Sequence, residues 1–325
     1  MPKLLTPLLL FAFICVPAHA LDKSRIEVRT FIDEMVHDHG FDRGELDALF
    51  AQTEIKQTIL DAISRPAERV TPWHEYRERF LTERRIHQGA DFRIAHRDKL
   101  ERIGDDDVAA AVVGILGVET SFGRITGRYR VIDALATLAF DFPPRAPFFR
   151  DELKQFLILS REESVDVKAA LGSYAGAMGA PQFISSSYRK FAVDADSDGQ
   201  RNLWTSWDDV IGSVANYLYA YGWRRGEPVV VMASLESDDL ARFDVSKIEL
   251  NETVQSLREK NVRFETSLPA DAPAMLIVSQ GKNGPQYRVG FNNFYVITRY
   301  NRSTMYAMAV YDLGHAVQNF MRDAK

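Results

Sequence analysis

The chain has 325 residues, of which 46% are hydrophobic and 26% charged, so it has enough apolar material for a core and for two or more domains. Its formal net charge is −5 and it has no long block of like charge, which excludes the basic surface that a phosphate-tracking protein needs. No nucleic-acid partner is therefore expected.

The first twenty residues have the pattern of an export signal. Lys3 precedes an apolar centre at residues 8–14, and Ala18 and Ala20 frame a small-x-small cleavage site. The apolar stretch is shorter than the roughly 20 residues that a membrane span needs, and it ends at Pro17, so a cleaved signal is favoured over an anchor. We expect cleavage after Ala20 and a periplasmic mature chain without a transmembrane span.

The only cysteine, Cys15, lies inside this segment, so the mature chain is expected to have no thiol and no disulfide. A bacterial lipoprotein signal carries small residues just before its cysteine, whereas Phe13 and Ile14 precede this one. Lipid anchoring at Cys15 is the weaker interpretation and is not expected.

Residues 21–104 have helical periodicity and predict a small all-helical domain. Its clearest apolar face comprises Phe31, Ile32, Met35 and Val36. Gly40 is placed to end that helix, and Thr71 followed by Pro72 predicts a later helix start with Thr71 as the cap. Residues 105–226 continue in helices that carry more glycines and aromatic residues, and they predict a core domain with helices near 131–140, 147–160 and 209–221.

Within that core, Glu119 closes an apolar run at residues 108–116 and is followed by an aromatic residue and a glycine. The run is too apolar for a solvent-facing helix, so we expect desolvation to disfavour the ionised carboxylate and to raise the pKa of Glu119. A carboxyl that keeps its proton near neutral pH can act as a general acid at a glycosidic oxygen. The alternative is a structural glutamate that caps the helix end or pairs with Arg124.

A second segment, residues 172–183, combines small residues with groups suited to a sugar. Its glycines and alanines permit close approach of backbone or ligand. The candidate contact groups are Ser173, Tyr174, Gln182 and Phe183. A tight helix-to-helix packing segment is an equally good interpretation of this segment alone.

An acidic loop at residues 194–200 has oxygen ligands at the spacing that calcium requires. Carboxylates occupy its first, third and fifth positions, namely Asp194, Asp196 and Asp198. Gln200 would offer a backbone carbonyl at the seventh position, as in an EF-hand. Thr205 stands where an EF-hand has glutamate, so Asp208 or Asp209 would have to close the site. We expect a structural calcium ion, with an acidic surface turn as the alternative.

Beyond Gly226 the pattern changes to β-branched runs separated by turn residues, which predicts a small β domain at residues 227–294. The predicted strands are at 228–232, 262–264, 274–278, 287–289 and 294–298, with a turn at 282–285. Residues 295–325 then predict the end of the last strand and a helix at 305–321 that packs back on the core. A polar turn at 300–303 would present Asn301 to a cleft. The fold class is therefore α+β, mainly α.

Five blocks, at residues 114–124, 133–138, 176–183, 212–217 and 297–301, occur in one order that resembles the B-type lytic transglycosylases, which cleave bacterial peptidoglycan. The resemblance covers most of residues 70–325. It implies a lysozyme-like core with an N-terminal helical domain and a small inserted β domain. It also implies peptidoglycan glycan strands as the partner, and proteins of cell-wall synthesis or remodelling are further candidates.

The resemblance implies that Glu119 is the sole acid/base and that no cofactor takes part in catalysis. Glu119 would protonate the oxygen between N-acetylmuramic acid and N-acetylglucosamine, and then activate the muramic acid 6-hydroxyl to give a 1,6-anhydro sugar. A retaining hydrolase places a second carboxylate about 5 Å away, and none lies near Glu119 in sequence. A muramidase that uses water and a non-catalytic peptidoglycan-binding module are the alternatives.

The match also implies a set of binding residues. Those beside the cleaved bond are Ser173, Tyr174, Met178, Gln182 and Phe183, and those completing the wall are Tyr217, Asn301 and Tyr306. Asn301 would orient the N-acetyl group, and Tyr76 would line a more distant subsite. Arg145 remains where the family tends to have two adjacent arginines, because residue 144 is a proline here. The family's metal ligands fall on Asp194, Asp196, Asp198 and Gln200, with the helix-start aspartate best matched by Asp209.

Overall fold

The computed structural model describes residues 19–65, 71–235 and 240–323. The predicted export signal lies outside these ranges except for β1 (His19–Ala20), which pairs antiparallel with β2 (Glu54–Ile55). Within the three ranges, no helix combines the length and the apolarity needed to cross a membrane.

The N-terminal region is helical, as predicted. Its helices are α1 (Ile26–His39), α2 (Arg43–Phe50), α3 (Gln57–Ile63), α4 (Trp73–Glu78), α5 (Glu83–Ala95) and α6 (Arg97–Arg102). Gly40 ends α1 in the left-handed conformation, with φ 64°, where a side chain would be strained. The predicted cap Thr71 is wrong by one residue, because Pro72 occupies the N-cap position of α4 and offers no side-chain hydrogen bond.

The core region places a buried helix at its centre. Its elements are α7 (Asp106–Thr120), β3 (Tyr129–Arg130), α8 (Val131–Asp141), α9 (Ala146–Glu162), β4 (Leu171–Gly172), α10 (Ser185–Phe191) and α11 (Trp207–Ala220). Every residue of α7 from 108 to 117 is buried, because this stretch is apolar on all sides and neighbouring helices surround it. The Asp105 carboxylate caps the start of α7 by accepting the Val108 N–H.

The β region is one five-stranded antiparallel sheet in the order β6-β8-β9-β5-β7. Its elements are β5 (Val230–Leu235), β6 (Glu252–Thr253), α12 (Val254–Glu259), β7 (Val262–Arg263), β8 (Pro273–Gly281) and β9 (Gly284–Gly290). The predicted turn closes the β8–β9 hairpin through Lys282 and Asn283. The sheet has its own apolar core, which includes Phe243, Leu257, Phe264 and Phe291.

The prediction of a strand at 294–298 is wrong. The predicted strand at the start of the C-terminal segment 295–325 is the same element and is wrong with it. These residues belong to helix α13 (Asn292–Tyr300). Phe294, Ile297 and Thr298 are buried together with Asn293, and this i, i+3, i+4 spacing is that of a helix face. A short apolar run with β-branched residues suits a buried helix as well as a strand, so its composition alone misled the prediction.

The last helix, α14 (Thr304–Asp323), packs on α7 through glycines. A Cβ at Gly114 would overlap the Val310 carbonyl, and one at Gly314 would overlap the Ala110 carbonyl. The two helices therefore meet backbone to backbone and run in opposite directions. This contact brings the end of α7, which carries Glu119, to the start of α14.

Candidate active site

Glu119 lies in the last turn of α7, where the chain bends sharply away from the helix. Ser121, Phe122 and Gly123 follow with φ 54°, 61° and 76°, three consecutive left-handed conformations. The Glu119 side chain is half-buried, and it sits at a helix C-terminus, where the helix dipole disfavours negative charge. The bend thus leaves the Glu119 carboxyl at the C-terminal end of the α7 dipole.

The carboxyl of Glu119 accepts a hydrogen bond from Tyr306 on α14. The phenol lies 2.6 Å from Oε1, although the two residues are 187 positions apart in sequence. Burial, and next the negative charge of Glu119, raise the pKa of Tyr306 well above its ordinary value, so the phenol keeps its proton and donates it. Arg124, the alternative partner considered from sequence, donates Nη1–H to the Ser121 carbonyl over 3.2 Å.

Aromatic rings form the wall behind this pair. The Tyr300 ring stacks on Tyr306 with centroids 6.4 Å apart, and its hydroxyl donates to the Pro181 carbonyl over 2.6 Å. Tyr217 and Phe183 pack against Tyr300 at 4.8 and 5.7 Å. Burial, followed by the charge of Glu119, also raises the pKa of Tyr300. Sequence reasoning missed Tyr300 as a site residue, although it lay in the motif from which Asn301 was chosen.

Thr120 ties the segment at 172–183 to the end of α7. Its hydroxyl donates to the Ala180 carbonyl over 2.8 Å and accepts the Gly123 N–H over 3.0 Å. Because Thr120 adjoins Glu119, these bonds fix the loop relative to the carboxyl.

The segment itself is a compact loop and not the tight joint between two helices that was the alternative. The Ser173 hydroxyl accepts two N–H groups of its own loop, and Met178 is fully buried. Gln182 adopts φ 53° and donates Nε2–H to the Thr126 carbonyl over 3.0 Å. Tyr174 is 41% exposed, so it is the side chain of this set most available to a ligand.

The remaining three candidates differ in their position. Tyr76 is buried on α4, and its ring packs 5.2 Å from that of Phe80. Asn301 ends α13 with an exposed carboxamide that has no hydrogen-bond partner among the described residues. Arg145 is exposed after α8 and lies 4.4 Å from the centre of the Phe148 ring, and no contact within the described ranges joins it to Glu119.

Three carboxylates of the acidic loop converge as a metal site requires. Asp194, Asp196 and Asp209 each place an oxygen within 4.8 Å of the others. Asp209 is fully buried and accepts the N–H groups of Ala195 and Asn202 over 2.8 and 2.7 Å. Burial, and then the charges of Asp196 and Asp194, raise the pKa of Asp209. A bound cation would offset the repulsion between these carboxylates. The donor set of hard oxygens fits calcium.

The third predicted ligand of the loop, Asp198, lies outside this converging group, and its carboxylate accepts the Gln200 N–H over 2.8 Å. Asp208, the alternative closing residue, pairs with Lys99 over 3.0 Å and with Arg102. Of the two candidate closing residues, Asp209 is the one whose carboxylate lies with those of Asp194 and Asp196. Gln200, the remaining predicted ligand of the loop, is exposed.

Comparison with known proteins identifies the family. The model of the transglycosylase SLT domain matches residues 23–315. The membrane-bound lytic murein transglycosylase B of Escherichia coli K12 is 40% identical over 298 residues, which are 88% of this chain and 81% of that protein. The chain belongs to the B-type lytic transglycosylase family.

Solved structures agree with this assignment and with the predicted α+β, lysozyme-like fold. Soluble lytic transglycosylase SltB1 of Pseudomonas aeruginosa is 47% identical, with a TM-score of 0.86 over 91% of this chain and 99% of that one. The E. coli lytic transglycosylase Slt35 in complex with calcium is 39% identical, with a TM-score of 0.80 over 90% and 92%. The prediction that the protein is an enzyme is confirmed, because its relatives are named as lytic transglycosylases.

Proposed function

We propose that the protein cleaves the β-1,4 bond between N-acetylmuramic acid and N-acetylglucosamine in murein as a lytic transglycosylase. The observation that carries the proposal is the carboxyl of Glu119 at the end of a buried helix, held by a phenol 2.6 Å away. Membership of the family and the relative named a lytic murein transglycosylase support murein as the substrate.

The hydrogen bond assigns different tasks to the two carboxyl oxygens. Because Tyr306 donates to Oε1 and keeps its own proton, the acidic proton of Glu119 resides on Oε2. Oε2–H protonates the glycosidic oxygen as the bond to the anomeric carbon breaks, and N-acetylglucosamine leaves as the alcohol. The carboxylate formed then removes the proton of the muramic acid 6-hydroxyl, whose oxygen bonds to the anomeric carbon. Glu119 regains its proton, and no water is consumed.

The surroundings of Glu119 support a route without a nucleophilic carboxylate. A retaining hydrolase holds its second carboxyl about 5 Å from the first. The neighbours described above are instead the phenols of Tyr300 and Tyr306, both kept neutral by burial. Neutral aromatic walls stabilise an oxocarbenium-like sugar less than a carboxylate would, which leaves that role to the N-acetyl oxygen of the substrate. The open carboxamide of Asn301 is the group that would orient it.

The test is product analysis on purified sacculi with wild type, Glu119→Gln and, as a matched control, Glu101→Gln on an exposed position of α6. We expect wild type and the control to release anhydro-ended muropeptides. Glu119→Gln should release none, yet still sediment with sacculi and melt at the wild-type temperature. Cleavage by Glu119→Gln at the wild-type rate would refute the proposal. Ends heavier by one water would show a muramidase, and binding without turnover by wild type would show a binding module.

We further propose a structural calcium ion held by Asp194, Asp196 and Asp209. The convergence of these carboxylates and the calcium complex of Slt35 support it. Bound calcium would neutralise their mutual repulsion and tie the loop to α11, whose first turn carries Asp209. When calcium exceeds its Kd 100-fold, the expected stabilisation is about 2.7 kcal/mol.

Thermal unfolding in a chelator and in millimolar calcium measures this stabilisation. Asp196→Asn should lose most of it, whereas Asp198→Asn, outside the converging group, should lose less. An unchanged melting temperature of wild type across this range would contradict the calcium proposal.

We propose the periplasm as the location, on the basis of the export signal predicted at residues 1–20. Cell fractionation and N-terminal sequencing of the mature protein test it. We expect Leu21 as the first residue, and an uncleaved chain in the cytoplasm would contradict the assignment.

A further inference from the structure

A cavity of about 470 Å³ has a lining that includes neither Glu119 nor any residue of the 172–183 loop. Its walls are residues 163–171, which follow α9, and residues 200–204, which end the acidic loop. Thr126 forms the edge nearest the active site, because its carbonyl accepts the Nε2–H of Gln182. A volume of this size is within the range of small-ligand sites.

Trp204 gives the cavity a fixed aromatic surface. Its indole N–H donates to the Leu171 carbonyl over 3.2 Å, and its ring packs 5.7 Å from that of Tyr188. Ala169 and Ala170 line the cavity beside it. The C–H face of a pyranose packs on such a ring, and the methyl of an N-acetyl group fits an alanine-lined wall.

The polar groups of the lining match the hydroxyls of a neutral sugar. The hydroxyls of Thr126 and Ser164 and the carboxamide of Gln200 have no hydrogen-bond partner among the described residues. Each can both donate to and accept from a sugar hydroxyl or amide. Together with Trp204 and the two alanines, they give the lining both polar and apolar groups.

The charges of the lining disfavour an acidic ligand. The side chain of Glu163 is only 8% exposed and is neutralised by Arg201, whose Nε lies 2.7 Å from it. Asp166 is the lining carboxylate that no described cation pairs, so the cavity has a negative excess. A lactyl carboxylate, as in N-acetylmuramic acid, would be repelled there, whereas N-acetylglucosamine is neutral.

We propose that this cavity is a second carbohydrate site, which holds an N-acetylglucosamine residue of a glycan strand away from the bond being cleaved. The identification of that strand as murein rests on the proposed function, whereas the binding of the sugar does not. A strand held at both places would stay attached between successive cleavages.

Indole NMR signals test the site directly. The chain has four tryptophans, and ¹⁵N-tryptophan labelling of Glu119→Gln protein in saturating calcium gives one indole signal for each. Trp204→Phe assigns the Trp204 signal. We expect neutral chitotriose to move this signal saturably, and a disaccharide that contains N-acetylmuramic acid to do so about tenfold more weakly.

A variant whose added side chain fills the cavity provides the matched comparison. Ala169→Phe should weaken the response of the Trp204 signal about tenfold, whereas Ala270→Phe, in an exposed turn of the sheet region, should leave it unchanged. Wild-type positions of the other three indole signals show that Ala169→Phe is folded.

The proposal would be overturned if the Trp204 signal did not move at chitotriose concentrations up to about 10 mM, or if it moved equally in Ala169→Phe. Equal binding of the acidic disaccharide would overturn the preference for a neutral sugar. Because the Glu119→Gln protein serves throughout, the result does not depend on turnover. Failure of wild type to release anhydro ends would count only against the proposed function.

Discussion

Tyr306 determines how the carboxyl of Glu119 is presented. Its hydroxyl is buried, stays protonated and donates to a single carboxyl oxygen. The carboxyl therefore cannot rotate freely, and its second oxygen keeps one direction. Positioning of this kind contributes to catalysis without adding a new reactive group.

Tyr306→Phe removes that hydrogen bond and keeps the ring. We expect kcat on murein to fall about 10- to 100-fold with a smaller change in KM, because the bond orients the acid and does not bind the substrate. Steady-state assays measure both constants. Tyr219→Phe is the control. It too loses a hydrogen bond donated by a phenol, but the acceptor is the Ile103 carbonyl and not Glu119. Equal loss of kcat in both variants would contradict the positioning role.

Thr120→Val tests the attachment of the 172–183 loop. Valine keeps the shape of threonine but leaves the Ala180 carbonyl and the Gly123 N–H without their partner. We expect the free energy of unfolding in urea to fall by about 1–3 kcal/mol. Thr30→Val, which loses only an exposed bond within α1, should change it little. Unchanged stability of Thr120→Val would show that the loop is held by other contacts.

Sequence reasoning selected Glu119 as the proposed acid but identified only part of its surroundings. Glu119 stood out because desolvation by an apolar run is expected to favour the protonated carboxyl, although a structural role was the alternative. Tyr300 gave no such signal, because an aromatic residue at the end of an apolar segment is ordinary core material. Asp198 was chosen from an alternating pattern, yet its carboxylate turns to the Gln200 N–H. Local patterns thus indicate residue types, whereas tertiary contacts decide which way each side chain turns.

The crossing of α7 and α14 sets the geometry of the site at the level of whole elements. Gly114 and Gly314 let the two backbones touch, so no side chain separates the helices at these points. The distance between Glu119 and Tyr306 is therefore set by backbone contact, which deforms less than side-chain packing.

Gly114→Ala should disturb this crossing. The new methyl group would overlap the Val310 carbonyl, so α14 must move, and we expect a loss of about 1–3 kcal/mol in the free energy of unfolding. Activity should fall further than stability predicts at temperatures where the variant is folded. Gly44→Ala is the control, because it lies on the exposed side of α2. Equal effects of the two substitutions in chemical unfolding would refute this account.

Element prediction succeeded where the pattern was long or was marked by turn residues, and it failed where a short apolar run stood alone. The apolar run of α7 and the hairpin turn between β8 and β9 were both confirmed. Residues 294–298 form a helix because Phe294, Ile297 and Thr298 share one buried face, which a five-residue window cannot reveal. Thr71 failed for a related reason, since a cap depends on where the first turn begins.

Stability of the whole molecule should depend on pH through Glu152. This carboxyl is 3% exposed, and burial raises its pKa above the ordinary 4.5 despite hydrogen bonds from Ser186. The folded state therefore holds a proton that the unfolded state has released, so the free energy of unfolding falls as pH rises from about 4.5 through the folded pKa.

Glu152→Gln removes this titration. We expect its stability relative to wild type to increase across that pH window and then to level off, as measured by denaturant unfolding between about pH 4 and pH 8. Glu101→Gln, at an exposed position, should show no comparable trend. A difference between Glu152→Gln and wild type that is constant with pH would contradict the assignment.

At the scale of the molecule, the order of five sequence blocks was more informative than any single block. Their order predicted the family and the lysozyme-like fold, whereas the pattern of helical and strand segments predicted only the α+β class. Neither the blocks nor the composition indicated the glycine crossing that assembles the site, because contacts between distant segments leave no local pattern.

The separation of Glu119 and Tyr306 has a consequence for the synthesis of the protein. A ribosome releases the chain from its N-terminus, so the acid emerges long before the phenol 187 residues later. Until α14 is complete, α7 lacks the helix against which its glycine face packs. An unfinished chain therefore carries Glu119 without its positioning partner. The carboxyl is held in place only after the final helix has been synthesised and has packed on α7.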